Sequence, residues 1–128
     1  MSQQNVETTK KMYADFAQGD IPAVLGSFDA DIVWAEPAGS LIPGEFHGPQ
    51  GVLENFVMKI PATYGQLGMV TKDFIDGGDQ VVVLGEYTLA GKDGQVNAPF
   101  AHVWKLKDGK FSRYDDYTDT ALIAGTVK

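Results

Sequence analysis

The segment from Pro99 to Thr120 constrains this chain more than any other, because it reads as two β-strands joined by a tight turn at Asp108-Gly109. An Asp-Gly pair between alternating apolar residues is a strong hairpin signal, since both positions tolerate the positive φ that a two-residue turn demands. Side chains alternate along a strand with a period of two. Phe100, His102, Trp104 and Leu106 therefore share one face of the first strand, and Tyr114, Asp116 and Thr118 one face of the second. If the two faces are on the same side of the sheet, His102 and Asp116 look into one aromatic-walled space. The competing reading sends one of the two to solvent.

The rest of the chain supplies something for that hairpin to cover. Val6, Thr9, Tyr13, Phe16 and Ala17 recur at helical spacing and predict a helix over residues 4–18. Gly19 suits the position just past its end, and Asp20 with Pro22 opens a second short helix whose buried face is read as Val24, Leu25 and Phe28. A strand over 31–36 follows, with Ile32, Trp34 and Glu36 on one side. Residues 37–47 hold two Pro and two Gly without periodicity and read as a loop, a partial lid over the ligand space. Gly48-Pro49 then opens a third helix with Val52, Leu53, Phe56 and Ile60 as its apolar stripe. Strands are predicted near 67–76, 80–91, 96–107 and 110–118, and a short final helix over 120–125 behind Asp119.

Helices first and antiparallel strands afterwards indicate an α+β fold. The expected form is a cone-shaped α+β barrel, a curved mixed or antiparallel sheet wrapped around three N-terminal helices. A length of 128 residues suits a single domain spanning 1–128. With a net charge of −7, nucleic acid and anionic membranes are poor partners. The absence of cysteine removes disulfides, thiolate nucleophiles and Cys-ligated metals. No secretory or membrane-spanning run is visible, and a cytoplasmic location is the expectation.

Chemistry-bearing motifs are few. The glycines between 39 and 51 do not form a phosphate cradle. His47 and His102 lack metal-ligand spacing, so no metal and no cofactor is expected. The carboxylates remain. Glu36, just before Pro37, sits where a strand end can lean over a pocket mouth. The Asp115-Asp116 doublet turns one acid inward if its strand is regular. Glu86 follows Val82 and Leu84 in parity and is a weaker inward candidate. A carboxylate raised toward neutrality in an apolar pocket suits removal of a proton beside a carbonyl. Trp34, Phe100, Trp104 and Tyr114, with Tyr13 and Phe56 from the helices, are either core or pocket wall, and are carried as candidate ligand-contacting residues.

The stretches Tyr13–Asp20, Asp31–Trp34 and Pro43–Gly48, together with the final hairpin, resemble the SnoaL-like polyketide cyclase and ketosteroid isomerase-like group, whose members have the nuclear-transport-factor-like cone fold. The resemblance covers nearly the whole chain. Its isomerase pattern, a carboxylate base before a proline, falls on Glu36. The oxyanion-stabilising Asp of that pattern falls on His102, and its helix-borne Tyr falls on Met12, one residue from Tyr13. Its cyclase pattern, an inward Asp on the last strand with a His beside it, falls on Asp116 and His102. Phe100 stands where that pattern has a polar residue. An epoxide-hydrolase pattern needs an inward Arg, and Arg113 has the opposite parity to Asp116. The resemblance implies a cofactor-independent proton-transfer enzyme, of isomerase or cyclase type, acting on a small apolar carbonyl compound. Asp116 would be the acid/base, His102 its partner or an oxyanion donor, and Glu36 a second acid. A homodimer formed through the exposed sheet is expected. The alternative is a binding protein that uses the same pocket without catalysis.

Overall fold

The chain is described by a computed structural model over residues 2–127. Two helices come first, α1 (Ser2–Ala17) and α2 (Ile21–Gly26). Gly19 between them takes a φ of +76°, where a side chain would be strained. The Asp20 carboxylate accepts from the Ala23 N–H at 3.2 Å, and so caps a helix whose Pro22 has no N–H to leave unpaired. Strand β1 (Phe28–Glu36) begins earlier than expected. Phe28 is its buried first residue, and not part of the α2 face.

The 37–47 segment is only partly a loop. Gly44–His47 form β2, which pairs antiparallel with β1 so that Glu36 faces Gly44 and Trp34 faces Phe46. The third helix is also interrupted. α3 (Gly48–Asn55) ends at Phe56, a 3-10 turn covers Val57–Lys59, and α4 (Ile60–Tyr64) restarts. Pro61 explains the break, because a proline is accommodated in the first turn of a helix and not in its interior.

Strands β3 (Leu67–Asp76), β4 (Gln80–Gly91), β5 (Gly94–Lys107) and β6 (Lys110–Thr118) follow, and α5 (Thr120–Thr126) closes the order behind an Asp119 cap. The β5–β6 turn has φ of +53° at Asp108 and +78° at Gly109, as the Asp-Gly pair predicts. One six-stranded sheet results, in the order β2-β1-β6-β5-β4-β3. Its neighbours are antiparallel except β1 and β6, which run parallel. The sheet is mixed and remains open between the β2 and β3 edges, so the expected barrel does not close. Register shifts at Phe28/Val33, Thr71/Asp73 and Lys105/Leu106 add the extra residues that bend strands.

The inner face of the sheet carries Ile32, Val81, Val83, Phe100, Trp104, Phe111 and Tyr114, packed against Val6, Met12 and Tyr13 of α1, Val24 of α2 and Val52 of α3. Leu89, Ala98 and Ile123 make a smaller cluster under α5. In β4 the inward set is Val81, Val83, Gly85 and Tyr87, because Val83 lies opposite the inward His102 and opposed residues share a face. Glu86 therefore points outward and pairs with Lys72 at 3.2 Å. Among the described residues no helix is long and apolar enough to cross a membrane.

Candidate functional site

Between the sheet and the helices lies a cavity of about 130 Å³ with mostly apolar walls. Met12, Tyr13 and Phe16 of α1 line it, with Val24 and Leu25 of α2, Phe56 and Val57 beyond α3, and Trp34 and Trp104 of the sheet. Ser40 and Leu41 of the remaining loop (37–43) line it too, and the Ser40 hydroxyl lies 3.1 Å from that of Tyr64, tying the loop to α4. Leu41 is half exposed and stands at the rim.

Polar groups converge on the sheet side. Residue pairing sets His102 opposite Asp116 and Trp104 opposite Tyr114, so all four face inward. His102 Nε2 is 3.4 Å from Asp116 Oδ1. The His102 ring is engaged at both nitrogens: Nδ1 lies 2.6 Å from the Tyr13 hydroxyl and Nε2 2.6 Å from the Tyr87 hydroxyl. Trp104 Nε1–H donates to the Tyr13 oxygen at 2.8 Å, and Tyr87 O–H donates to Asp116 Oδ2 at 2.9 Å. Phe100 stacks on the His102 ring with centroids 3.8 Å apart and holds it from behind. It does not line the cavity as expected.

Glu36 reaches the same site from the end of β1, brought beside β6 by the parallel pairing of Trp34 with Tyr114. Its Oε2 accepts Trp34 Nε1–H at 2.9 Å. Burial pushes the Glu36 carboxyl up to about 10, and the neighbouring Asp116 charge adds to the rise. Burial raises Asp116 as well, opposed by hydrogen bonds from Glu36 and Tyr87. Each carboxylate charge disfavours the other, so simultaneous ionisation of both is opposed. Asp116 Oδ1 is buried and accepts no hydrogen bond from the described residues. Burial lowers His102 to about 3, so its contact with Asp116 joins a neutral imidazole to a carboxyl and is not an ion pair. The oxyanion-donor role for His102 loses its basis, since neither ring nitrogen is free to meet a ligand.

Of the remaining candidates, Tyr13, Trp34, Phe56, Trp104 and Tyr114 line the cavity with the two acids. Asp115 faces outward and accepts two hydrogen bonds from Arg113, at 2.8 and 3.0 Å. His47 is exposed and 4.0 Å from Glu45, away from the site. Sequence reasoning missed Tyr87, which bridges His102 and Asp116, and Tyr64 on the far wall. The run Val81-Val82-Val83-Leu84 is apolar at both parities and hides the phase of β4; Gly85 opposite Phe100 was the available clue.

The comparisons agree with this fold. The family described as the SnoaL-like domain matches residues 9–114. No curated protein matches the chain. Among solved structures, an NTF2-like protein of unknown function from Burkholderia pseudomallei is 27% identical, with 98% of each chain covered and a TM-score of 0.89. TerC, co-crystallised with polyporic acid, is 30% identical over 97% of this chain and 98% of its own, with a TM-score of 0.87. A putative SnoaL-like polyketide cyclase from Jannaschia sp. CCS1 shares the fold at 19% identity, covering 98% of this chain and 92% of its own, with a TM-score of 0.81. The chain belongs to the SnoaL-like family.

Proposed function

We propose that this protein is a cofactor-independent proton-transfer enzyme, of isomerase or cyclase type, acting on a small apolar carbonyl compound held in the cavity. The observation that carries the reading is the Glu36–Asp116 pair, two buried carboxyls that line one apolar-walled cavity and are both raised by burial. Environments that separate the protonation states of two acids assign an acid and a base. Asp116, ionised, removes a proton from the carbon beside the carbonyl. Glu36, protonated, donates toward the carbonyl oxygen as charge develops there, and the enol that forms is reprotonated at a second position or attacks within the ligand. The volume of about 130 Å³ favours one ring, since a dry cavity of about 150 Å³ in another protein holds benzene. The polyporic acid crystallised with TerC supports a small organic ligand for this chain.

Solvent-deuterium exchange into a panel of small cyclic ketones, followed by NMR, tests the reading. Exchange is expected with the native protein and a fall of about 10²–10⁴-fold in Asp116→Asn, whose amide cannot take the proton. Full exchange in that variant with none in Glu36→Gln makes Glu36 the base, as in the isomerase pattern. A ketone that binds without exchanging leaves the non-catalytic binding reading.

A further inference from the structure

The hydrogen bonds around His102 have a direction. An indole N–H can only donate, so Trp104 commits the Tyr13 oxygen to accepting. Tyr13 then has one proton to give, and the group within reach is His102 Nδ1 at 2.6 Å. A neutral ring whose Nδ1 accepts carries its proton on Nε2, which donates to the Tyr87 oxygen at 2.6 Å. The Tyr87 proton is left for Asp116 Oδ2 at 2.9 Å. Every donor has one acceptor in this arrangement. Reversing it strands the Tyr13 proton, because Trp104 cannot accept it, and leaves Asp116 Oδ2 without its donor.

We propose that Trp104, Tyr13, His102 and Tyr87 form a one-way hydrogen-bond chain that fixes His102 as its Nε2–H tautomer and ends on Asp116, making Tyr87 a positioning residue for that carboxylate. The chain explains why a buried histidine stands beside an acid without touching the ligand space through a free nitrogen. His102 passes the polarity set by an indole on its own strand β5, through Tyr13 of α1, to a carboxylate on β6. Its consequence for catalysis rests on the proposed function: a donor on Asp116 Oδ2 biases the pair's negative charge toward Asp116 and its proton toward Glu36. The titratable groups facing Asp116 are Glu36 from β1, Tyr87 from β4, Tyr114 from β6 and His102 from β5, with Tyr13 and Tyr64 feeling its charge from α1 and α4. No Lys or Arg lines the cavity among the described residues.

The test needs no substrate. In protein labelled with ¹⁵N-histidine and ¹³C-aspartate, with His47→Asn leaving a single ring, the His102 nitrogens report the tautomer and the Asp116 carboxyl reports its titration. The native chain is expected to show Nε2 protonated and Nδ1 bare from mildly acidic to neutral pH. Tyr87→Phe should raise the Asp116 titration by about 1–2 pH units, the loss of one hydrogen bond to a charged group. Trp104→Phe should release the lock and give mixed tautomers. A bare Nε2 or an imidazolium in the native protein overturns the chain, as does an Asp116 titration that Tyr87→Phe leaves in place. If Tyr87→Phe fails to fold, the native tautomer alone decides. A chain as described, with no exchange into any bound ketone, refutes the catalytic reading and leaves the chain intact.

Discussion

Replacing Glu36 by Gln should make the protein more resistant to alkali, contrary to the usual effect of removing a carboxylate. A carboxyl whose pKa is higher in the folded state than in the unfolded chain holds its proton more tightly when folded. Raising the pH through that interval favours unfolding. Glu36 rises from an ordinary 4.5 to about 10 on folding, so its interval spans that range. His102 works in the opposite sense, since its drop from 6.5 to about 3 makes stability grow with pH until 6.5. Between 4.5 and 6.5 the two slopes offset each other, and above 6.5 only the carboxyl slope remains. One proton's difference is worth about 1.4 kcal/mol per pH unit, so from pH 6.5 to about 8.5 the native protein should lose about 2.7 kcal/mol. With a urea m-value of about 1–3 kcal/mol/M, the midpoint should fall by roughly 1–3 M over that interval. Gln keeps an oxygen for Trp34 Nε1–H and offers an N–H to Asp116, but cannot ionise. Its midpoint should stay nearly level. A native midpoint that is flat or rises over this range, or a Gln variant that declines in parallel with it, would refute the burial argument.

Gly85 sits where an added Cβ would meet the Val70 carbonyl oxygen and come within 2.6 Å of the Phe100 ring. Gly85→Ala should cost about 1–3 kcal/mol by overpacking in urea or thermal unfolding, whereas Gly94→Ala, with open space around it, tests only the strain of a positive φ. On the outer face, Leu84, Ala101 and Tyr117 form a row across β4, β5 and β6, with Val70 and Ile75 exposed nearby on β3. This row is proposed as the surface that joins two copies. Tyr117→Glu should shift a dimer to monomer in sedimentation experiments while leaving the far-UV spectrum unchanged, and an unaltered mass rules this face out.

Much of the fold was legible because period-2 alternation is unambiguous where polar and apolar residues differ sharply. The Phe100–Leu106 and Tyr114–Thr118 faces, the Asp108-Gly109 turn and the Asp20 and Asp119 caps all follow from local chemistry. β4 was illegible where it mattered, since four consecutive apolar residues fit either phase and only cross-strand register selects one. β2 was hidden because Gly44, Glu45 and His47 are weak strand formers, paired by β1 and not by their own propensity. For the site, residue types and parity pointed to Asp116, His102 and Glu36. They were silent on the bonds that Tyr13 and Tyr87 make to His102, because hydrogen bonds between residues 15 and 89 positions apart leave no local trace.

The parallel seam between β1 and β6 also sets a schedule. Trp34 meets Tyr114 across it, eighty positions later, and joining such distant segments costs more loop-closure entropy than pairing the neighbouring hairpin strands. During synthesis, Glu36 emerges long before Asp116 and remains an ordinary solvated acid until the last strand arrives. The acid pair is thus a certificate of completed assembly: a chain stalled before β6 docks holds Tyr13, Tyr87 and His102 but lacks Asp116 beside Glu36, whatever helices and hairpins it has already made.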